Sequence, residues 1–345
     1  MKSPQSICII RLTSLGDIVL VTPLIRALRN TYPSARIDMI ISKHCSEIMK
    51  YNPRIDTLHI IDTKQGTLQV LRQWRKLKKT MPMYDLVIDV HDSLRSTFMR
   101  IGLGKEVSVY DSARTFKRNL VTNKTRIPIE SIIPVPLRYF SALKQYPQIK
   151  PDDSGLEFWL EKENQQQYYP INRGSEPQHI LIAPGARHAT KRWPPEFYAE
   201  LIRLLNKWHS ATIIMIGGPD DKTLCDTIQE MVGTTVQNRA GSMSLHEIAS
   251  LMDSAHCVIG NDSGLMHIAA ARHIPVLTIY GSTVPEFGFA PYKTHHEIVT
   301  INLPCKPCTH IGKEKCPLGH FSCMKDISPL MVFEHVQSLL TIKDQ

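Results

Sequence analysis

"ICIIRLTSLGDIVLVTPLIRALRN", residues 7–30, reads as an apolar run, a short loop holding one glycine, and a helix-patterned stretch. Ile7–Arg11 has the aliphatic content of a buried strand, and Ile18–Asn30 repeats its apolar residues at helical spacing. A strand, a tight turn and a helix start together resemble the opening of a nucleotide-binding α/β unit. Two details depart from that pattern. The glycines do not follow the G-x-G-x-x-G spacing of a dinucleotide site, and Asp17 sets a negative charge where a phosphate-binding loop would avoid one. The carboxylate reads as an N-cap, as a chemical group, or as both.

Outward from this stretch the alternation continues. Strands are expected at Arg36–Ile41, Leu58–Ile61, Asp85–Val90 and Val107–Tyr110, with helix-like stretches at Cys45–Tyr51 and Leu68–Lys79. Such βα alternation implies a parallel sheet covered by helices. From Pro147 to Gln178 the chain turns polar, and residues 161–178, "EKENQQQYYPINRGSEPQ", read as an interdomain linker. The alternation then restarts: strand 179–184, helix Glu196–Trp208, strand 211–218, helices Lys222–Met231 and Leu245–Ser254, strand 256–261, helix Leu265–Arg272 and strand 276–281. Two α/β halves are expected, with a cleft between them.

The 345-residue length also favours two domains. A content of 42% hydrophobic and 21% charged residues is that of a globular chain. No run of about 18 uncharged apolar residues occurs, which excludes a membrane-spanning helix. Arg11 and Asp17 interrupt the apolar N-terminus, which argues against a signal peptide, so a cytoplasmic location is expected. The formal charge of +9 points to an acidic partner. "LQVLRQWRKLKK", residues 68–79, concentrates it: Leu68, Leu71, Trp74 and Leu77 form an apolar stripe, with Arg72, Arg75, Lys76 and Lys79 largely elsewhere. This is a surface helix packed on the core, a face for an anionic membrane, or both.

The second half carries the strongest constellation, "CVIGNDSGLMHIAAARHIPVLTIYGSTVP" at 257–285. A strand ends at Asn261 and a helix begins near Ser263 or Gly264, with Asp262 or Ser263 available as N-cap. Unpaired N–H groups at a helix start carry partial positive charge and suit a diphosphate. Upstream, "APGARHATKRWPPEFYAEL" at 183–201 sets Lys191 after another glycine turn, with Arg187 and Arg192 nearby. Lysine in that place is a charge partner for phosphate.

Four segments in order resemble the heptosyltransferase family of lipopolysaccharide core assembly: 12–33, 182–194, 241–271 and 275–286. The resemblance implies a GT-B glycosyltransferase with two Rossmann-like, doubly wound domains facing a central cleft. Residues 1–165 would bind the acceptor and 166–325 the nucleotide sugar, with 326–345 a helix packing back across both. It implies Asp17 as catalytic base, and Lys191, Met243, Asp262, Ser263, Gly264 and His267 around an ADP-heptose donor, with Arg187 a further donor candidate. Arg95 in "HDSLRS" and Arg114 in "DSARTFKR" would contact acidic groups of the lipid A–Kdo or inner-core acceptor, because an arginine fork suits carboxylates and phosphates. The family's ribose-contacting acidic residue finds no clear counterpart. The implied reaction is a single inverting displacement at the inner face of the inner membrane.

The chain has no Asp-x-Asp motif, which agrees with chemistry that needs no catalytic metal. Cys305, Cys308, Cys316 and Cys323 lie close together in the tail, with His310 and His320 among them. They are compatible with structural zinc, and equally with reduced thiols or a labile disulfide. Three other functions compete. A dehydrogenase lacks its glycine fingerprint, an epimerase on the same architecture is not separable by fold, and a nucleic-acid partner is not expected because the basic residues cluster away from the cysteines.

Overall fold

The computed structural model describes residues 3–124, 127–161, 179–208 and 211–341. The expected linker at 161–178 lies outside the described residues apart from its first. The chain divides into two units, 1–114 with 133–159, and 115–132 with 160–345.

The first unit contains β1 (Ser6–Ile10), α1 (Leu15–Leu20), α2 (Thr22–Thr31), β2 (Arg36–Ser42) and β3 (Thr57–Ile61). It continues with α3 (Thr67–Lys78), β4 (Tyr84–Asp89), α4 (Leu94–Arg100) and β5 (Gly104–Val109). Its five strands are parallel, in the order β3-β2-β1-β4-β5. β1 is central, and all but one of its residues are buried, as its unbroken aliphatic run requires. The expected helix 18–30 is two helices broken at Val21, because Pro23 cannot donate a backbone hydrogen bond and instead opens a new helix. The 45–51 segment is a 3₁₀ helix at Lys43–Met49. In α3 the buried residues are Val70 and Trp74, with Leu77 and Met81 packed beside them, whereas Leu68 is exposed. The stripe expected to include Leu68 is therefore rotated.

The unit's closing segment is held by ions. Buried Arg26 on α2 bonds Asp152 Oδ2 at 2.7 Å and pairs with Glu157 at 3.1 Å, and Arg54 reaches Glu157 at 2.9 Å. Burial alone would raise the Glu157 pKa, but Arg54 and Arg26 outweigh it and hold the carboxyl below its usual value.

α5 (Arg114–Asn123) is followed by α6 (Val135–Arg138), and the cut between the units falls at the start of α5. Segment 115–132 groups with the second unit, whereas the sequence reading ran the first domain through 165. The reason is non-local packing: Leu120 and Phe116 cluster with Val284, Phe287 and Phe289.

The second unit contains β6 (His179–Ala183), α7 (Pro195–Trp208), β7 (Thr212–Met215), α8 (Lys222–Val232), β8 (Gln237–Asn238), α9 (Leu245–Met252) and β9 (Cys257–Asn261). After these come α10 (Gly264–Ala271), β10 (Val276–Tyr280), β11 (His296–Thr300), α11 (Ser322–Lys325) and α12 (Pro329–Thr341). The sheet is parallel, in the order β11-β10-β9-β6-β7-β8. α12 buries Val332, Val336 and Leu339 in this unit's core and packs on α7, β10 and β11.

In each sheet the strand order reverses beside the first strand, between β1 and β4 and between β6 and β9. Ligands of open α/β sheets bind beyond the carboxyl ends of the strands at such points.

Candidate active site

The loop after β1 presents Asp17 at the third position of α1. The Ser14 backbone N–H and hydroxyl donate to Asp17 Oδ2 at 3.1 and 2.8 Å, one half of a capping box. Arg11 Nη2 lies 2.6 Å from Asp17 Oδ1, the Tyr139 hydroxyl donates to Oδ1 at 3.4 Å, and the Asp17 side chain is 18% exposed. Burial pushes the Asp17 carboxyl up, but Arg11 and Ser14 together hold it below its usual range. Asp17 is thus both a helix-start acceptor and an ionised carboxylate.

Around it stand residues that sequence reading missed. Arg11 also donates to the Val90 carbonyl and lies 5.6 Å from the centroid of the Tyr139 ring. Burial disfavours its charge, yet Asp17, Tyr139 and Tyr110 hold its pKa up. Tyr110 stacks edge-on with Tyr139 at 5.1 Å. His91 is pushed down to about 4, chiefly by burial and then by Arg11, so it is neutral at pH 7. The one sequence signal was Arg11 itself, a cation closing an apolar strand. Tyr139 lies too far along the chain for spacing to reveal.

The acceptor candidates lie at the helix starts after β4 and after β5. Arg114 pairs with Asp92 at 3.0 Å and also donates to its carbonyl, while Arg95 is exposed in the first turn of α4.

In the second unit the loops after β6 and β9 are joined by Asn261, which accepts from Trp193 N at 3.1 Å and donates to the Pro184 carbonyl at 2.6 Å. Lys191 Nζ lies 2.6 Å from Asp262 Oδ2, and the Thr283 hydroxyl donates to the same oxygen at 2.7 Å. Lys191, expected opposite phosphate, therefore has a carboxylate partner in this structure. Ser263 is the N-cap of α10, but its hydroxyl makes no capping bond and finds no partner among the described residues. Gly264 begins the helix, and His267 is buried with its ring 6.5 Å from that of Phe289.

The structure thus brings together Lys191, Asp262 and the Ser263–Gly264 helix start. Arg187 is exposed on the β6 loop, and Met243 is half-buried just before the Ser244–Glu247 capping box of α9. At Gly185 a Cβ would meet Asp221 Oδ1 at 2.1 Å, so a larger residue there requires the Asp221 side chain to move. Burial raises the Asp221 carboxyl, although the Gly218 N–H donates to it at 2.9 Å.

The tail cysteines are free thiols, and among the described residues no three His, Cys, Asp or Glu side chains converge to hold a metal. The donor set for structural zinc is not assembled. Burial works to raise Cys316, but backbone N–H groups of residues 318–321 hold its thiol below its usual value. The tail also bonds to the turn that carries Lys191. The Thr190 N–H donates to the Lys313 carbonyl at 3.0 Å, and the Lys313 N–H donates to Thr190 Oγ1 at 2.8 Å.

Residues 70–318 match glycosyltransferase family 9 (heptosyltransferase). The chain belongs to this family. It is 24% identical over 308 residues to the lipopolysaccharide core heptosyltransferase OpsX of Haemophilus influenzae, covering 87% of this chain and 85% of that one. Its fold is that of a family 9 glycosyltransferase from Veillonella parvula, with a TM-score of 0.81, 23% identity and 99% of each chain covered. Escherichia coli ADP-heptose lps heptosyltransferase II aligns with a TM-score of 0.71 at 23% identity, over 97% of this chain and 98% of that chain. Family membership makes the protein a glycosyltransferase and accounts for paired doubly wound sheets with polar loops at both reversals.

Proposed function

We propose that the protein transfers heptose from ADP-heptose to the Kdo or heptose of the lipopolysaccharide inner core, with inversion. The observation that carries the acceptor half is Asp17, a partly buried carboxylate held ionised at the strand-order reversal. Asp17 takes the proton of the acceptor hydroxyl as that oxygen forms its bond to the anomeric carbon. The bond from that carbon to the diphosphate oxygen breaks, and ADP leaves with the electron pair. A positioned base of this kind contributes about 10²–10⁴-fold. A depressed pKa makes Asp17 a weak base but guarantees its charged form, so stabilisation of the departing diphosphate supplies the larger share.

That share falls to the second unit. Lys191 and the α10 start supply positive charge to the diphosphate, and Ser263 Oγ supplies a hydroxyl. Asp262 is held off the phosphate by Thr283 and Lys191 and takes hydrogen bonds from the sugar. Met243 and Arg187 serve the nucleotide end, and Arg95 and Arg114 meet the acidic groups of the acceptor. The reaction proceeds without a catalytic metal, and no step involves the tail cysteines. A lipid-borne acceptor places the enzyme transiently at the anionic inner face of the inner membrane. No described helix is long and apolar enough to cross a membrane.

The test is incubation with ADP-heptose and a panel of truncated core acceptors, read by mass spectrometry. A product one heptose heavier with one acceptor class identifies the position filled. No product with any acceptor, from protein that binds ADP, overturns the reading.

A further inference from the structure

α3 and α4 lie on one face of the first sheet. Val70 and Trp74 share a buried cluster with Met99 and Leu103, and Lys78 Nζ donates to the Ile101 carbonyl at 2.6 Å. On the outer side of this layer Leu94, Phe98 and Ile101 recur at helical spacing and are 93%, 41% and 63% exposed. At about 3.6 residues per turn, Arg72, Arg75, Lys76 and Lys79 fall opposite buried Val70 and Trp74. Leu68, 71% exposed, falls among them. Those four cations make no ion pair among the described residues. No Asp or Glu occurs between Asp62 and Asp85, or between Asp92 and Glu106.

We propose that this outer α3–α4 face docks on an anionic lipid bilayer. Lysine and arginine near such a surface each favour binding by about 1 kcal/mol, or roughly fivefold, and exposed aliphatic side chains enter the boundary between headgroup and acyl chain. Phosphate alone would satisfy the cations and leave the Leu94–Phe98–Ile101 stripe in water; a bilayer takes both. α3 and α4 also begin at the end of the sheet where β1 delivers Asp17, so Leu68 and Leu94 stand at the end where the acceptor reacts. The inference rests on the reading that the acceptor is lipid-borne and names the surface that meets its membrane.

The full chain is floated with vesicles of phosphatidylcholine, with and without phosphatidylglycerol. Binding only to the anionic vesicles, weakened by salt, is expected. The combined variant R72Q, R75Q, K76Q and K79Q, with unchanged circular dichroism, loses at least about tenfold in partitioning. The combined variant L94S, F98S and I101S loses binding that salt does not remove. Either variant floating as the parent does overturns the proposal, as does a parent that ignores anionic vesicles yet is retained on DNA. Transfer to a lipid-free core oligosaccharide separates the two readings. The four-charge variant keeps it within about twofold, and a parent with no transfer but intact, face-dependent flotation loses the reaction and keeps the surface.

Discussion

The loops after β1 and after β9 each lead from a strand at an order reversal into a helix. They differ in where the carboxylate falls. In the first unit Asp17 lies inside α1, three residues past Ser14, and accepts from the Ser14 N–H and hydroxyl. In the second, Asp262 lies before α10, is engaged by Lys191 and Thr283, and leaves the helix start without a side-chain cap. A helix N-terminus attracts one negative charge. When the chain supplies that charge the helix start holds a carboxylate, and when it does not the helix start keeps its partial positive charge for another anion.

Asp17→Asn breaks this contrast most severely. Turnover is expected to fall at least about 10²-fold, with ADP affinity within a few-fold of the parent. Steady-state rates alongside calorimetric titration with ADP check both parts, and parental turnover at saturating substrates removes Asp17 from the base role. The pH profile sharpens the same point. Because the Asp17 pKa is lowered, the carboxylate is charged throughout pH 5–8 and is lost only on acidification below its ordinary range. No acid limb in kcat/KM assignable to this group is therefore expected above pH 5.

Lys191→Ala tests the opposite loop. It removes a cation from the diphosphate and leaves Asp262 repelling it, so ADP binding is expected to weaken at least about tenfold and transfer to slow as well. Adding Asp262→Asn should restore part of the binding by removing the repulsion. An unchanged ADP dissociation constant in the single variant would move the diphosphate elsewhere.

Gly185→Ala probes the geometry beneath Lys191. A methyl at Gly185 collides with the Asp221 carboxylate, and overpacking of this kind costs about 1–3 kcal/mol. A lower melting temperature with weaker ADP binding is expected, partly relieved by Asp221→Ala. The smallest effect is expected from EDTA, which should change neither transfer nor melting temperature. Loss of activity restored by Mg²⁺ or Mn²⁺ at constant melting temperature would refute the metal-free mechanism. Elemental analysis for zinc, with loss of both properties reversed by zinc alone, would give the tail cysteines a metal.

The strands were legible because central parallel strands are continuous aliphatic runs, and the site loops because glycine and a charged residue interrupt such runs at their ends. Asp17, Lys191 and Asp262 were therefore visible as residues. Their partners were less so: Tyr139 approaches Asp17 from 122 positions away, and the Lys191–Asp262 pair forms across two loops. Short edge strands such as Gln237–Asn238 carry too few residues for a period. The placement of 115–132 depends on Leu120 meeting Val284, which no local pattern encodes. Trp74 lies on the buried side of α3, and Leu68, six residues earlier, falls out of phase with it because a three-residue spacing drifts around a helix of about 3.6 residues per turn.

The paired bonds between Thr190 and Lys313 give the tail a mechanical part in the donor site. The short turn ending at Lys191 is a cantilever, clamped at its root by a segment more than a hundred residues downstream. Gly312 makes the clamp close-fitting, since a Cβ there would strike the His188 side chain at 2.5 Å. The position of the Lys191 turn is thus held by a stretch of chain that contributes no strand to either sheet.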